Sequence, residues 1–153
     1  MTTVLFVCTG NICRSPMATA IFRSKLGTKS AKAGWKADSA GTWAAVGAPA
    51  SLHAQEVMQA WGLDITGHQS KPVTAELLAT ADLVLTMERN HKEALQAEFP
   101  SLADRIFMLS EMVGREEDIV DPIGGSLEDY EDTARELDDI LNGGFKKILR
   151  LTE

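Results

Sequence analysis

The sequence contains few of the residues that mark disulfide-rich, membrane-spanning or secreted proteins. It has two cysteines among 153 residues, Cys8 and Cys13, which is too few for a disulfide framework. Reduced thiols in a cytoplasmic protein are the expectation. No apolar run approaches the ~20 residues needed to cross a bilayer, and the first residues lack the basic segment of a secretory signal. We therefore expect a cytoplasmic protein with no membrane partner.

Positive charge is also scarce. The net charge of −7 disfavours nucleic-acid binding, which needs a basic surface. The charge is uneven, because residues 1–37 contain six lysines and arginines and no acid, whereas residues 111–139 contain twelve acids and two arginines. Such runs are commonly solvated helix faces. The N-terminal run is also compatible with an anionic ligand.

Histidines are few, and their positions do not indicate a metal site. His53, His68 and His91 are scattered along the chain without the spacing of ligands. Cys8 and Cys13 alone would supply only half of a zinc site. We expect no metal and no cofactor.

The pattern of apolar residues predicts strands that alternate with helices. The length favours one domain over residues 1–153. Such alternation indicates a single doubly wound α/β sandwich of three layers with a four-stranded parallel sheet. The predicted strands are residues 3–7, 36–42, 82–87 and 105–109. The predicted helices are residues 17–26, 51–61, a short one from Thr74, 88–98, and a long one from Leu127 to Leu151 that Gly143 and Gly144 are expected to kink or interrupt.

A short polar loop follows the first predicted strand and leads into a predicted helix at Ser15-Pro16, with Ser15 as the expected cap. Ligands of such folds bind beyond the carboxyl ends of the strands. Backbone N–H groups of a loop this short, together with the helix N-terminus, can surround a tetrahedral oxyanion. Arg14 can add a bidentate pair of hydrogen bonds. Gly10 and Asn11 tolerate the positive φ that a tight loop needs.

Cys8 would lie at the bottom of this anion-binding loop. A helix N-terminus and a nearby arginine both favour the thiolate form of cysteine, and a thiolate can attack phosphorus in line. Ser15 could then stabilise the sulfur through a hydrogen bond. The alternative is that Cys8 and Cys13 are structural thiols, but it leaves Arg14 and Ser15 unexplained.

Asp121, which precedes Pro122, is the best candidate for a general acid. A phenolate that leaves phosphorus needs a proton, and a carboxylic acid on a loop can supply it. Taken alone, Asp121 is one acid among the twelve of residues 111–139. The interpretation of Asp121 as a general acid therefore depends on its combination with the Cys8 loop.

Residues 7–16, Val-Cys-Thr-Gly-Asn-Ile-Cys-Arg-Ser-Pro, resemble the signature of the low-molecular-weight protein tyrosine phosphatases. The resemblance continues through residues 38–41, 67–69, 82–87 and 121–122. It implies a flavodoxin-like phosphatase fold, with Cys8 as nucleophile, Arg14 and the Thr9–Cys13 loop as phosphate binders, Ser15 assisting the thiolate and Asp121 as acid.

The resemblance implies further roles around this loop. Asn11 would support the loop through hydrogen bonds with Ser39 and His68. Cys13 would form a reversible disulfide with Cys8 under oxidant. Trp43 would line the substrate pocket, although core packing is an alternative for this side chain. The expected partners are a phosphorylated protein and phosphate itself, and we expect a monomer.

Other functions on the same fold stay open at this point. Typical eukaryotic members follow Asp-Pro with aromatic residues, whereas this chain has Ile123-Gly-Gly-Ser, a pattern similar to bacterial protein arginine phosphatases, which carry Thr at position 12. The apolar Ile12 favours phosphotyrosine, because it cannot pair with the N–H groups of a phosphorylated guanidinium. A thiol-dependent arsenate reductase and a phosphocysteine phosphocarrier are further alternatives, although neither needs Asp121 as an acid.

Overall fold

A parallel sheet of four strands forms the centre of the structure, a computed structural model that describes residues 2–27 and 34–153. The strands lie in the order β2-β1-β3-β4, and every neighbouring pair is parallel. This confirms the predicted fold class, and each strand agrees with its predicted bounds to within one residue. The strands are β1 (Thr2–Cys8), β2 (Trp35–Gly41), β3 (Leu83–Thr86) and β4 (Ile106–Met108).

Five α-helices and two short 3₁₀ helices connect or follow these strands in the described residues. Lys29 and Lys32 of the N-terminal basic run lie outside the described residues. The helices are α1 (Arg14–Leu26), α2 (Leu52–Ala60), α3 (Ala75–Thr80), α4 (Arg89–Glu98) and α5 (Leu127–Leu151), with 3₁₀ turns at Pro100–Arg105 and Leu109–Val113.

Successive side chains of β1 belong to two hydrophobic clusters, one on each face of the sheet. Val4, Phe6 and Cys8 belong to the cluster that includes residues of α1 and α5, whereas Leu5 and Val7 belong to the cluster on the other face, with residues of α3 and α4. Successive side chains of a strand point to opposite faces. The Cys8 side chain therefore lies on the α1 side of the sheet.

The direction in which strands are added to the sheet reverses after β2, between β1 and β3. The chain leaves β1 toward β2 on one side and later returns to β3 on the other side of β1. Ligands of open α/β sheets bind at such a reversal of strand order, at the carboxyl ends of the strands. The Cys8 loop follows β1 at this point.

Two details of the helices differ from the prediction. Helix α1 begins at Arg14 after Cys13, so Ser15 lies inside its first turn and does not cap it. Helix α5 continues through Gly143 and Gly144 without interruption. A Cβ atom at Gly144 would lie 2.6 Å from the Met112 Cβ. Gly144 therefore allows close packing of α5 on the 109–113 turn rather than a break in the helix.

Among the described residues, no helix has both the length and the apolar character required to cross a membrane.

Candidate active site

The loop between β1 and α1 is buried and tightly turned. Cys8, Asn11 and Arg14 are all buried, and Asn11 adopts a φ of 58°. The Asn11 backbone N–H donates to the Cys8 sulfur at 3.3 Å. The loop therefore curls back over the sulfur, as the sequence predicts for an oxyanion-binding turn.

The Asn11 side chain is fully hydrogen-bonded and joins the loop to its surroundings. Its Nδ2 donates to Ser15 Oγ at 2.8 Å and to Ser39 Oγ at 2.9 Å, and its Oδ1 accepts from the Lys71 backbone N–H. His68 Nε2 lies 2.6 Å from the Asn11 carbonyl oxygen, which can only accept. These contacts hold Asn11 at its positive φ, and the structure brings Asn11, Ser39 and His68 together in one hydrogen-bond network.

The Ser15 hydroxyl contacts the Cys8 sulfur at 2.9 Å. Because Asn11 Nδ2 already donates to Ser15 Oγ, the hydroxyl proton is free to donate to the sulfur. A hydrogen bond to a charged atom favours the charged form of that atom. Ser15 therefore contacts the sulfur in the way that would stabilise a thiolate.

Arg14 is held by one edge of its guanidinium group. Nη1 donates to Glu88 Oε2 and to the Ile119 carbonyl oxygen, both at 2.6 Å. Nε and Nη2 are buried and make no hydrogen bond to any residue that the structure describes. Two parallel N–H donors of this kind can bind two oxygens of one phosphate group.

Asp121 lies beside the free edge of Arg14. Its Oδ2 is 3.5 Å from Arg14 Nη2, and its Oδ1 accepts from the Ile123 backbone N–H at 3.1 Å. Nearby, the Ile119 backbone N–H donates to the Met87 carbonyl at the end of β3. The loop that carries Asp121 is thus attached to the sheet and to Arg14.

Trp43 and Ile12 occupy different environments near the loop. Trp43 is 88% exposed, which excludes the alternative that it packs in the core, and its backbone N–H donates to the Thr9 carbonyl. Ile12 is half-buried against the main core cluster. A Cβ at Gly41 would lie 2.3 Å from the Thr9 carbonyl oxygen, so the approach of this segment to the loop requires glycine.

Cys13 lies in a different environment from Cys8. Its thiol donates to Ser51 Oγ at 3.4 Å and lies 3.3 Å from Tyr130 Oη. Burial raises the pKa of Cys13 above its ordinary value, and the hydrogen bonds of Ser51 and Tyr130 only partly oppose this rise. Burial, followed by the contact with Cys13, also raises the pKa of Tyr130 to about 12. Cys13 is therefore a protonated thiol at neutral pH.

Comparison with known proteins agrees with this geometry. The family described as low molecular weight phosphotyrosine protein phosphatase matches residues 3–151. The chain belongs to this family. It is 40% identical over 146 residues to a protein-arginine-phosphatase of Bacillus subtilis (strain 168), with 95% of each chain covered.

Two further relatives are named as tyrosine phosphatases. The low molecular weight protein-tyrosine-phosphatase PtpB of Staphylococcus aureus is 34% identical over 134 residues, covering 88% of this chain and 90% of the relative. The crystal structure of a low molecular weight protein tyrosine phosphatase from T. tengcongensis has a TM-score of 0.87 and 46% identity, covering 96% of this chain and 99% of the other.

The structure adds residues to this phosphatase site that the sequence analysis missed. Glu88 and Ile119 hold Arg14, the Lys71 backbone holds Asn11, and His91 Nε2 lies 2.8 Å from Thr9 Oγ1. The positions of Glu88 and His91 in the sequence could have indicated that they belong to the site. They lie within five residues of the end of β3, and the carboxyl ends of parallel strands meet at one edge of the sheet.

The electrostatics of Glu88 reflect its pairing with Arg14. Burial alone would raise the pKa of Glu88, but the hydrogen bond and the charge of Arg14 outweigh burial, so the pKa lies below its usual value. Glu88 is therefore ionised at neutral pH and balances the buried Arg14 charge. This phosphatase keeps its arginine in place by an ion pair on the side opposite the free N–H groups.

Proposed function

We propose that this enzyme hydrolyses phosphotyrosine in proteins through a phosphocysteine intermediate on Cys8. The observation that carries this proposal is the arrangement of Arg14. Glu88 and Ile119 hold its Nη1 edge, while Nε and Nη2 are buried without a hydrogen bond in the described residues. Asp121 stands 3.5 Å from Nη2, so an acid and a phosphate binder share one side of the site.

In the first half of the reaction, the phosphate oxygens accept hydrogen bonds from the backbone of residues 9–13 and from Arg14. The Cys8 sulfur attacks phosphorus, and a sulfur–phosphorus bond forms as the bond between phosphorus and the phenol oxygen breaks. Asp121, in its acid form, donates a proton to the departing oxygen. Ser15 stabilises the sulfur before the attack.

In the second half, the Asp121 carboxylate accepts a proton from a water molecule whose oxygen attacks phosphorus. The sulfur–phosphorus bond breaks, inorganic phosphate leaves, and the Cys8 thiolate again receives the Ser15 hydrogen bond. A phosphocarrier would have to protect its phosphocysteine from water. A carboxyl group beside Arg14 therefore supports hydrolysis over phosphate transfer to a partner.

The test compares phosphotyrosine, phosphoarginine and phosphoserine peptides side by side with Cys8→Ser and Cys13→Ser variants. Cys8→Ser should abolish turnover and retain binding of inorganic phosphate, because the backbone and Arg14 are unchanged. Cys13→Ser is the matched control and should keep much of the activity. Near-normal turnover by Cys8→Ser would exclude the phosphocysteine intermediate.

Protein arginine phosphatase activity is the second candidate. A relative with that name is 40% identical over 95% of both chains, and Ile123-Gly124-Gly125 follows Asp121-Pro122 here as in the arginine phosphatase pattern described above. Against it stands Ile12, whose apolar side chain suits an aryl ring. Buried N–H groups of a phosphoarginine without partners would cost about 1–3 kcal/mol, or roughly 5- to 150-fold in selectivity.

An Ile12→Thr variant tests which substrate the pocket prefers. Wild-type protein should prefer phosphotyrosine, and the variant should shift the ratio of kcat/KM values toward phosphoarginine. Ile12→Val is the matched control, because it keeps the pocket apolar. A wild-type preference for phosphoarginine would establish the second candidate instead.

We further propose that residues 1–153 form one catalytic domain, which acts as a monomer in the cytoplasm and needs no cofactor. The match of the family to residues 3–151 supports the extent of the domain. The two free thiols fit a reducing compartment. Gel filtration with light scattering would test the monomer, and turnover in the presence of a chelator would test independence from metal.

A further inference from the structure

His91 is a buried imidazole that the proposed reaction does not use. It lies in the first turn of α4, five residues after the end of β3. Its Nε2 is 2.8 Å from Thr9 Oγ1, and its Nδ1 is 3.2 Å from the Glu88 backbone nitrogen, which donates. Both ring nitrogens therefore contact residues of the active site.

These two contacts determine the protonation state of the ring. A backbone N–H can only donate, so Nδ1 must be the unprotonated nitrogen that accepts from Glu88. The proton of the neutral ring is then on Nε2, and this N–H donates to the Thr9 hydroxyl. The pair of hydrogen bonds is complete only in the neutral Nε2–H tautomer.

The two partners of His91 belong to different segments, one after β1 and one after β3. Thr9 follows Cys8 and begins the anion-binding loop, whereas the Glu88 carboxylate holds Arg14 Nη1 at 2.6 Å. We propose that His91 is a positioning residue that joins the Cys8 loop to the Glu88–Arg14 pair. This inference rests on the proposed function only in taking the loop as an oxyanion site.

The charged groups around the ring favour opposite protonation states. Burial lowers the pKa of His91 most, and Arg14 lowers it further, while Glu88, Asp118 and Asp121 raise it. The net direction is downward, so the ring is neutral at neutral pH. Below this lowered pKa, a proton on Nδ1 would face the Glu88 N–H, and that hydrogen bond would be lost.

The test measures affinity for sulfate, a tetrahedral oxyanion whose charge is constant across about pH 5 to 8, the range in which histidine titrates. The variants are His91→Asn, His91→Gln, Thr9→Val and the pair Thr9→Val/His91→Asn. An asparagine side chain can reach the Glu88 N–H but not Thr9, whereas glutamine can donate to Thr9. His53→Asn is the matched control and should leave sulfate affinity unchanged.

At neutral pH, His91→Asn and Thr9→Val should each weaken sulfate binding on the order of tenfold, as expected for a lost buried hydrogen bond. The double variant should bind sulfate as tightly as the single variant with the lower affinity, because both substitutions remove the same hydrogen bond between Thr9 and His91. His91→Gln should retain more affinity than His91→Asn. Additive losses, or unchanged affinity in all variants, would overturn the proposal.

The pH dependence separates positioning from a general effect on folding. The ratio of wild-type to His91→Asn sulfate affinity should fall as pH decreases through the lowered His91 pKa, because a proton on Nδ1 breaks the contact with the Glu88 backbone N–H. A rise in this ratio would show that the charge of the imidazolium, and not positioning, governs binding. ¹⁵N NMR of the histidine side chains should show that His91 carries its proton on Nε2 at neutral pH. The His91 signals are identified among those of the three histidines by their absence in His91→Asn. A ring protonated on Nδ1 would contradict the inference even if a variant failed to fold.

Failure of this inference can be distinguished from failure of the proposed function. Sulfate binding and NMR need no turnover, so a protein that hydrolyses no phosphopeptide can still confirm the role of His91. Normal kcat/KM and sulfate affinity in His91→Asn, together with phosphotyrosine turnover, would reject the inference and leave the proposed function intact.

Discussion

At the scale of single residues, the buried Arg14 charge explains much of the site. An arginine that is 1% exposed needs compensation, because a charge taken out of water without a partner is costly. Glu88 supplies the opposite charge at 2.6 Å, and the Ile119 carbonyl accepts a second hydrogen bond. Because both partners bind Nη1, Nε and Nη2 stay available for the phosphate group of the proposed reaction.

Asp121 is expected to act on the leaving group. Asp121→Asn should slow hydrolysis of a poor aryl leaving group by roughly 10²- to 10⁴-fold, as for other lost general acids. The loss should be smaller for a leaving group that is already stable as an anion. Steady-state kinetics on a series of aryl phosphates provides the measurement.

Asp139→Asn is the control for the Asp121 variant, because Asp139 is an exposed acid of α5. It should leave the dependence of rate on leaving group unchanged. An equal loss for good and poor leaving groups in Asp121→Asn would remove Asp121 from the role of acid.

The two cysteines are expected to respond differently to peroxide. Oxidation converts the Cys8 thiolate to a sulfenic acid, and attack by the Cys13 sulfur then forms a disulfide and releases water. Cys13→Ser should keep much of its initial activity but recover little after brief peroxide treatment and subsequent dithiothreitol, because further oxidation of Cys8 is irreversible. Full recovery of this variant would show that Cys13 does not protect Cys8.

At the scale of elements, helix α5 illustrates how packing overrides local propensity. Gly143 and Gly144 weaken a helix relative to alanine, yet α5 continues through both. The helix is held by its buried face, and Gly144 brings it against the 109–113 turn. The Met112 carbonyl oxygen would lie 3.0 Å from a Cβ at Gly144.

The two glycines of α5 therefore should respond differently to alanine. Both substitutions gain roughly 0.8–1 kcal/mol of helix propensity. Gly144→Ala also places a methyl group against Met112, and overpacking typically costs about 1–3 kcal/mol. Gly143→Ala meets only the Val113 side chain, at 3.2 Å.

Urea denaturation should consequently rank Gly143→Ala as more stable than Gly144→Ala. The first variant should equal or exceed the wild type in free energy of unfolding, and the second should fall below it. If Gly144→Ala were the more stable of the two, the close approach of α5 to Met112 would not limit this position.

At the scale of the whole molecule, one ion pair links distant segments. Arg14 begins α1 and Glu88 follows β3, so their pair joins segments that are 74 residues apart in the chain. The pKa of Glu88 is lower in the folded protein than its usual value. The folded state therefore binds fewer protons at this site than the unfolded state, and stability rises with pH in that range.

This linkage predicts how acid affects folding. The stabilisation from Glu88 should be complete above its usual pKa and should be lost as pH falls through the lower pKa of the folded state. Glu88→Gln, which does not titrate, should lose less free energy of unfolding than the wild type over the same acid range. Urea denaturation at a series of pH values would reveal the difference, and parallel curves for the two proteins would contradict it.

The sequence alone determined the parts of this protein that depend on local order. Alternation along β1 and the spacing from Cys8 to Arg14 are properties of neighbouring residues, so the strand bounds and the tight turn over Cys8 could be predicted. The doubly wound fold class followed from the alternation of strands and helices. Ser15 as the cap of α1 and an interruption of α5 at its two glycines were predicted wrongly. The Ser15 hydroxyl contacts Cys8 and Asn11 and does not cap the helix, and α5 continues because it packs closely on Met112.

Only the tertiary structure decided which distant residues complete the site. Nothing local in the sequence pairs Glu88 or Ile119 with Arg14, or His91 with Thr9. The strand order β2-β1-β3-β4 places the end of β3, with Glu88 and His91 after it, beside the end of β1. Ile119 comes from the loop after β4 and reaches the site because its N–H donates to the Met87 carbonyl at the end of β3. Buried polar groups need hydrogen-bond partners, and the residues that follow the neighbouring strand are the ones close enough to Arg14 and to the Cys8 loop. The partners are far apart in the chain, so the packing of the sheet determines which of them meet.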